Sequence, residues 1–224
     1  MRGVFVTGTD TGVGKTIVAA AICAALVARG ERVAAFKPVV TGTDDDDDGD
    51  WPPDHELLAA SANAGQTPTD IAPVTFGPPL SPHYAAELAN ATINPAHLLA
   101  AAKAAGDRAD TVVCEGVGGL LVPLTPDYSV RDLAVELALP LIVVARTGLG
   151  TINHTLLTVE AARTTGLHVA GIVMTPWPAY PEPIEQSNRA TIERLSAVPV
   201  SGLPPTTPPQ LAVAGAALPL DDWL

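Results

Sequence analysis

Residues 4–16 read Val-Phe-Val-Thr-Gly-Thr-Asp-Thr-Gly-Val-Gly-Lys-Thr, an apolar run that passes through a glycine-rich turn into an Ala-rich stretch, Ile17 to Ala28. A buried strand handing over to a helix within one short turn points to an α/β sheet whose strand ends face a crevice. Gly-Lys-Thr at that junction is the layout of a phosphate cradle, in which successive backbone N–H groups and the positive helix end meet an anion. Lys15 is expected to reach the outer phosphates of a nucleotide and the Thr16 hydroxyl to take a place on Mg²⁺, with Gly12, Val13, Gly14 and Ile17 completing the cradle. The spacing departs from the usual G-x-x-x-x-G-K-[ST], which wants glycine at position 9. This chain has Thr9 there and Gly8 one residue earlier, so the loop is one residue longer if Gly8 makes the tight turn.

The rest of the chain alternates strand-like and helix-like runs. The expected strands are Val4–Thr7, Arg32–Lys37, Thr111–Glu115, Leu141–Ala145, His168–Met174 and Val198–Val200. Most are continuous Val, Ile, Leu and Ala, as in a parallel sheet buried on both faces. Helices are expected over Lys15–Arg29, His55–Ala64, Pro82–Ala89, Pro95–Ala105, Val130–Leu137, Thr151–Thr165 and Glu182–Leu195. No linker divides the chain, which predicts one α/β domain over 1–224, a mostly parallel sheet covered by helices on both faces. The tail over 202–224, with Pro204, Pro205, Pro208 and Pro209, is expected to be mostly irregular. Thr75–Pro82 is expected to be a long loop over the site, and the acidic run Asp44–Asp48 with Asp50 a solvated loop.

Aromatic residues are 4% of the chain, so Ala, Val and Leu must build the core. The net charge of −12 argues against nucleic acid or an anionic membrane as partner. With Lys and Arg numbering 12, a polyanion site must concentrate its few cations, and Lys15 and Lys37 stand out. Cys23 and Cys114 both read as small buried residues, which fits a reducing cytoplasm. The chain opens on a strand with no leader-like segment, and Val18–Ala28 is too short to span a bilayer, so a cytoplasmic protein is expected.

Each remaining chemical candidate falls at a strand end. Glu115 closes the third strand and is followed by Gly116-Val117-Gly118-Gly119. A carboxylate there is expected to contact Mg²⁺ opposite Thr16, while the glycines let backbone approach a ligand. Lys37 ends the second strand, where an ammonium suits a ligand crevice better than a core, and Thr41 follows within hydrogen-bonding reach of a substrate. Two cations beside Mg²⁺ suit phosphoryl transfer to an anionic acceptor. Asp54 is either a helix N-cap or a third oxygen ligand for Mg²⁺. His83 in Ser81-Pro82-His83 reads as a helix-entry residue.

Together these segments resemble the dethiobiotin synthetase family: Gly8-Thr9-Asp10-Thr11 with Val13–Thr16, Lys37-Pro38 with Gly42, Asp54, Ser81-Pro82-His83, Glu115–Gly119 with Val122-Pro123, Leu149-Gly150 with Ile152-Asn153-His154, and Gly171. The resemblance runs in order from the first strand to about the sixth and accounts for the extra loop residue. It implies that 7,8-diaminopelargonate takes up carbon dioxide as a carbamate, that ATP phosphorylates the carbamate, and that the second amine closes a cyclic urea. It implies Mg²⁺ on Thr16, Asp54 and Glu115, and substrate at Thr11, Thr41 and Gly118. It also implies a homodimer in which Leu149, Gly150, Thr151, Ile152 and Asn153 bind the substrate's far carboxylate across the interface, an arrangement that free helix-end N–H groups favour. By likeness the nucleotide touches Thr175, Pro176, Pro204, Pro205 and Thr206.

Two departures stand out. Relatives carry Asn, commonly followed by Asp, where this chain has Thr175-Pro176, and a single hydroxyl lacks the paired donor and acceptor of a carboxamide. Relaxed nucleotide selectivity follows, with pyrimidine triphosphates accepted beside ATP. Gly12 stands where relatives often carry Glu, which removes a side-chain contact. A rival reading, a partition or cell-division ATPase switch, shares the fold and an extended loop but calls for a lysine early in the loop, and Gly8-Thr9-Asp10 has none. A glutamine-dependent amidotransferase would need a second domain with a nucleophilic Cys.

Overall fold

The computed structural model describes residues 1–44 and 51–224. The acidic run therefore lies outside the described residues, apart from Asp44. The first half runs β1 (Gly3–Gly8), α1 (Lys15–Ala28), β2 (Val33–Phe36), β3 (Val40–Thr41), α2 (Asp54–Ser61), α3 (Pro68–Ile71), β4 (Thr75–Phe76), α4 (Pro82–Leu88), α5 (Pro95–Gly106) and β5 (Thr111–Gly119). The second half runs β6 (Pro123–Thr125), β7 (Tyr128–Ser129), α6 (Val130–Leu137), β8 (Leu141–Ala145), α7 (Thr151–Arg163), β9 (Val169–Met174), α8 (Pro183–Ser196), β10 (Val200–Gly202), a 3₁₀ turn (Pro208–Gln210), α9 (Leu211–Ala216) and α10 (Leu220–Trp223).

Six of these strands form one sheet, ordered β10-β9-β8-β1-β5-β2, with every neighbouring pair parallel. Successive side chains of a strand point to opposite faces, so each apolar strand feeds two cores. Phe5, Phe36, Leu141 and Ile172 join Leu98, Leu133 and Ile192 under α5, α6 and α8. Val4, Val6 and Ile142 join Ile22, Leu26, Leu58 and Trp223 under α1, α2 and α10. The expected α/β architecture, helices on both faces of a parallel sheet, is the one observed.

Several boundaries differ from the expectation. β5 continues past Glu115 to Gly119, because its glycines keep pairing with β1 (Gly8 opposite Gly119) across a register shift. Thr75–Phe76 pairs with Val40–Thr41, so the segment expected to be an open loop is tied to the strand that carries Thr41. The tail is not mostly irregular: its prolines punctuate rather than abolish structure, and α9 packs on α1 while Trp223 of α10 lies against Gly171 of β9. Proline at the first turn of a helix removes only an N–H that has no partner there. No helix among the described residues is long and apolar enough to cross a membrane.

The α1–α9 contact is close because Gly215 has no side chain: a Cβ there would lie 2.0 Å from the Ala21 carbonyl oxygen. Replacing Gly215 with Val should lower stability by roughly 1–3 kcal/mol through overpacking. Urea denaturation should show a lower midpoint at unchanged m value. An unchanged midpoint would mean that α9 does not pack on α1.

Candidate active site

The phosphate loop joins the centre of the sheet to α1. Gly12 (φ 69°) and Gly14 (φ 91°) take the left-handed turns of the loop. Gly8, expected to make the tight turn, serves by close approach instead: a Cβ there would sit 2.8 Å from Val13 Cγ2 and 2.9 Å from the Lys15 side chain. Lys15 is buried and its Nζ donates to the Asp10 carbonyl (3.0 Å), which folds the ammonium back along the loop. Burial lowers the Lys15 pKa against the pull of Glu115.

On the β5 side lies a charged cluster. Phe36 of β2 pairs with Cys114 of β5, so the next residues along each strand, Lys37 and Glu115, emerge side by side. Lys37 (3% exposed) donates to Glu115 Oε1 (2.6 Å) and to Asp54 Oδ2 (2.5 Å). Thr16 Oγ1 donates to the same Glu115 oxygen at 2.9 Å. Burial works against the charge of Lys37, but Glu115 and Asp54 outweigh it and raise its pKa. Burial likewise works against the Asp54 carboxylate, and Lys37 overcomes it and lowers the pKa. Burial pushes the fully buried Glu115 above the usual carboxylate range while Lys37 pulls it back. Asp54 opens α2 at its first turn after an N-cap Pro53, so it is not a cap; its carboxylate turns to Lys37.

These groups face a cavity of about 570 Å³ that also exposes Thr11, Gly12, Gly14, Ile17, Thr41, Val117 and Gly118. The donors around Thr16 are hard oxygens, and Glu115 Oε2 is buried with no hydrogen-bond partner among the described residues. Two carboxylates and a hydroxyl suit Mg²⁺, which prefers a few protein oxygens together with phosphate and water. The described residues contain no set of three His, Cys, Asp or Glu that would hold a metal unaided.

A second cavity, of about 530 Å³, lies on the other side of the loop. It gathers Val13, Thr175, Pro176, Pro204, Pro205 and Thr206 beside Gly12 and Gly14, so distant segments expected to share a ligand do share a wall. Thr175 is buried, its methyl close to Gly14, and Thr206 Oγ1 is buried without a partner among the described residues. Gly116, by contrast, faces inward: a Cβ there would meet Val130 Cγ1 at 2.8 Å and then the Phe5 ring. Leu149, Gly150, Thr151, Ile152 and Asn153 line neither cavity. Gly150 (φ 90°) caps α7 without a side chain, and Thr151 is buried with Oγ1 donating to the Arg146 carbonyl (2.6 Å), so its hydroxyl is committed within its own chain.

Sequence reasoning passed over Trp51 and Val39, which line the first cavity, and Arg146, which lines the second. Arg146 carried a usable signal: a cation directly after an apolar strand, the same pattern that singles out Lys37.

A family profile described as an AAA domain matches residues 2–210. The ATP-dependent dethiobiotin synthetase BioD of Anaeromyxobacter dehalogenans (strain 2CP-1) is 46% identical over 196 residues, spanning 88% of this chain and 86% of its own. That of Bacillus subtilis (strain 168) is 38% identical over 205 residues, spanning 92% and 87%. Among solved structures, the septum site-determining protein MinD of Pyrococcus horikoshii, complexed with Mg-ADP, aligns at TM-score 0.55 and 17% identity over 96% of this chain and 85% of its own. A ParA family ATPase of Chlorobium tepidum aligns at TM-score 0.53 and 13% identity over 96% and 90%. At those identities the structures share the fold alone.

Burial separates the two acids that Lys37 joins. Glu115→Ala leaves an ammonium in a buried site short of its main partner and should cost about 3–5 kcal/mol. The Asp54 side chain is 43% exposed and solvent-screened, so Asp54→Ala should cost under about 1 kcal/mol. Equal losses in denaturant titrations would show that burial does not set the strength of this cluster.

Proposed function

Because the chain belongs to the family of ATP-dependent dethiobiotin synthetases, we propose that it catalyses the ATP-dependent ring closure of 7,8-diaminopelargonate with carbon dioxide to dethiobiotin. The observation that carries this reading is the convergence of two buried ammonium groups, Lys15 and Lys37, on one cavity with Thr16, Glu115 and Asp54. One amine adds to carbon dioxide and loses a proton, giving a carbamate. A carbamate oxygen attacks the γ-phosphorus of ATP and ADP leaves. The second amine attacks the carbamoyl carbon and expels phosphate, closing the urea.

None of these steps needs a covalent bond to the protein. The protein's task is to hold anions together and stabilise charge as it spreads. Lys15, set within the phosphate loop, meets the outer phosphates. Lys37, on the facing strand end, meets the carbamate beside them, with Thr11, Thr41 and Gly118 positioning the diamine. Thr16, Glu115 and Asp54 would hold Mg²⁺, which when bound neutralises phosphate oxygens as a Lewis acid. The two ammonium groups stand beside two carboxylates, so the loop N–H groups and that ion would add to the positive field that meets the nucleotide.

The base-side cavity supports relaxed nucleotide selectivity. Its wall offers the hydroxyls of Thr175 and Thr206 and no carboxamide at position 175. A hydroxyl that both donates and accepts discriminates bases weakly. Leu149–Asn153 follow directly on Gly148 of the second cavity without lining either cavity, and Leu149 is 93% exposed, which supports a homodimer in which these residues serve the partner's substrate. Leu121, Leu149 and Leu157 are exposed apolar residues on the same half of the chain. Two buried free cysteines fit a cytoplasmic enzyme. A partition-type ATPase switch is not favoured, since its likeness stops at the fold.

Protein supplied with diaminopelargonate, bicarbonate, Mg²⁺ and ATP should release phosphate only when the diamine is present. Slow release indifferent to the diamine would favour the switch. Lys37→Ala should bind nucleotide nearly as well as the parent and lose turnover by a factor on the order of 10² or more; near-full turnover would remove Lys37 from its role. Calorimetry with the four ribonucleoside triphosphates should find them within about tenfold of one another, and a hundredfold preference for ATP would end the proposal of relaxed selectivity.

A further inference from the structure

The loop that follows β8 is held more firmly than a surface turn requires. Thr151 Oγ1 donates to the Arg146 carbonyl (2.6 Å). The side-chain amide of Asn188, a residue of α8 only 6% exposed, donates to the carbonyls of Thr147 (2.9 Å) and Gly148 (3.2 Å). Burying polar side chains costs free energy unless they are bonded, and here two of them are committed to three consecutive carbonyls. What this scaffold presents is Arg146. Its side chain is 60% exposed, yet it reaches back across the phosphate loop, where Nη2 donates to the Thr11 carbonyl (3.1 Å) and lies 3.6 Å from Asp10 Oδ2. Among the described residues it is the one Lys or Arg lining the base-side cavity, whereas Lys15 and Lys37 line the other.

We infer that Arg146 is a nucleotide-binding residue, a third cation that grips the polyphosphate from the base side of the loop, with Thr151 and Asn188 as its positioning residues. The inference rests on the reading of the two cavities as the seat of a nucleoside triphosphate. Charge balance gives the reason for a third cation. Lys37 is ion-paired with both Glu115 and Asp54, and Lys15 Nζ is turned to the Asp10 carbonyl, so the first cavity sets its two ammonium groups beside two carboxylates. The ion pair of Arg146 with Asp10, at 3.6 Å, joins two side chains more than half exposed, so solvent screens it and the guanidinium keeps further donors for a ligand. A guanidinium presents a planar fork matched to phosphate oxygens, and one tethered to the loop backbone loses little further freedom on binding. Phosphate is common to all nucleotides, so Arg146 contributes affinity without reading the base, in keeping with a base wall that discriminates weakly.

The test is calorimetry of ATP, ADP and CTP with Mg²⁺ on the parent and on Arg146→Gln, Arg146→Lys, Asn188→Ala and Lys15→Ala. Arg146→Gln should weaken all three nucleotides alike, by roughly ten- to a hundredfold, with Arg146→Lys recovering part of the loss. Asn188→Ala should raise the nucleotide KM with kcat little changed; a lower Tm with unchanged affinity would make Asn188 merely structural. Parent affinity in Arg146→Gln, a loss confined to adenine nucleotides, or a raised KM for the diamine alone would overturn the assignment of Arg146. If Lys15→Ala also bound nucleotide as the parent does, the phosphate-loop reading itself would fail, which separates the two failures.

Discussion

The site depends on one buried ion cluster, Lys37 between Glu115 and Asp54. It is a product of strand register. Phe36 lies opposite Cys114, which places Lys37 beside Glu115 at the carboxyl edge of the sheet. A slip of one residue would turn Glu115 to the opposite face and leave both charges buried without partners. The cluster therefore ties β2, β5 and the start of α2 into one arrangement, and Thr16 joins α1 to it through the same carboxylate oxygen. Such a cluster contributes little net stability, since desolvation offsets its attraction. Its effect is to hold a buried ammonium, still charged, at a fixed place on the wall of the cavity.

Sheet order divides the labour around the phosphate loop. β1 has β5 on one side and β8 on the other. The β5 side carries the acids and Lys37. The β8 side carries the cavity where Thr175 and Thr206 meet. The loop is the shared wall, with Gly12 and Gly14 facing both cavities. Lys37 after β2 and Arg146 after β8 are counterparts in this scheme: each follows an apolar strand, and each projects a cation over one flank of the loop. In parallel sheets the strand ends form one edge, so residues far apart in the chain meet there without special loops.

The likeness to partition-type ATPases belongs to this shared scaffold and carries no chemistry with it. What distinguishes chains of one scaffold is which side chains stand at the strand ends. Here they are a lysine and a glutamate joined at 2.6 Å, and a buried threonine, Thr175, directly after β9.

Much of this was legible in the residues alone. A strand, a glycine turn and Gly-Lys-Thr at the head of an apolar helix specify a phosphate loop, because each piece is a local backbone requirement. Continuous Val and Ala runs announce a sheet covered on both faces, because burial acts on every residue of a strand. Lys37 and Glu115 betrayed themselves as charges at the ends of apolar runs. Other features needed the folded chain. Gly8 proved to matter for packing rather than for a turn, because the neighbour it accommodates comes from the far end of the loop. Asp54 turned from a possible cap into a partner of Lys37, because β2 and α2 meet only in three dimensions. The tail formed helices despite its prolines, because α1 supplied a surface that no local rule contains. The hydroxyl of Thr151 holds the Arg146 backbone, a partner that no local pattern announces. Local sequence determines what a backbone segment does; which distant side chain satisfies a buried polar group is decided by register and packing, and only the tertiary structure contains those.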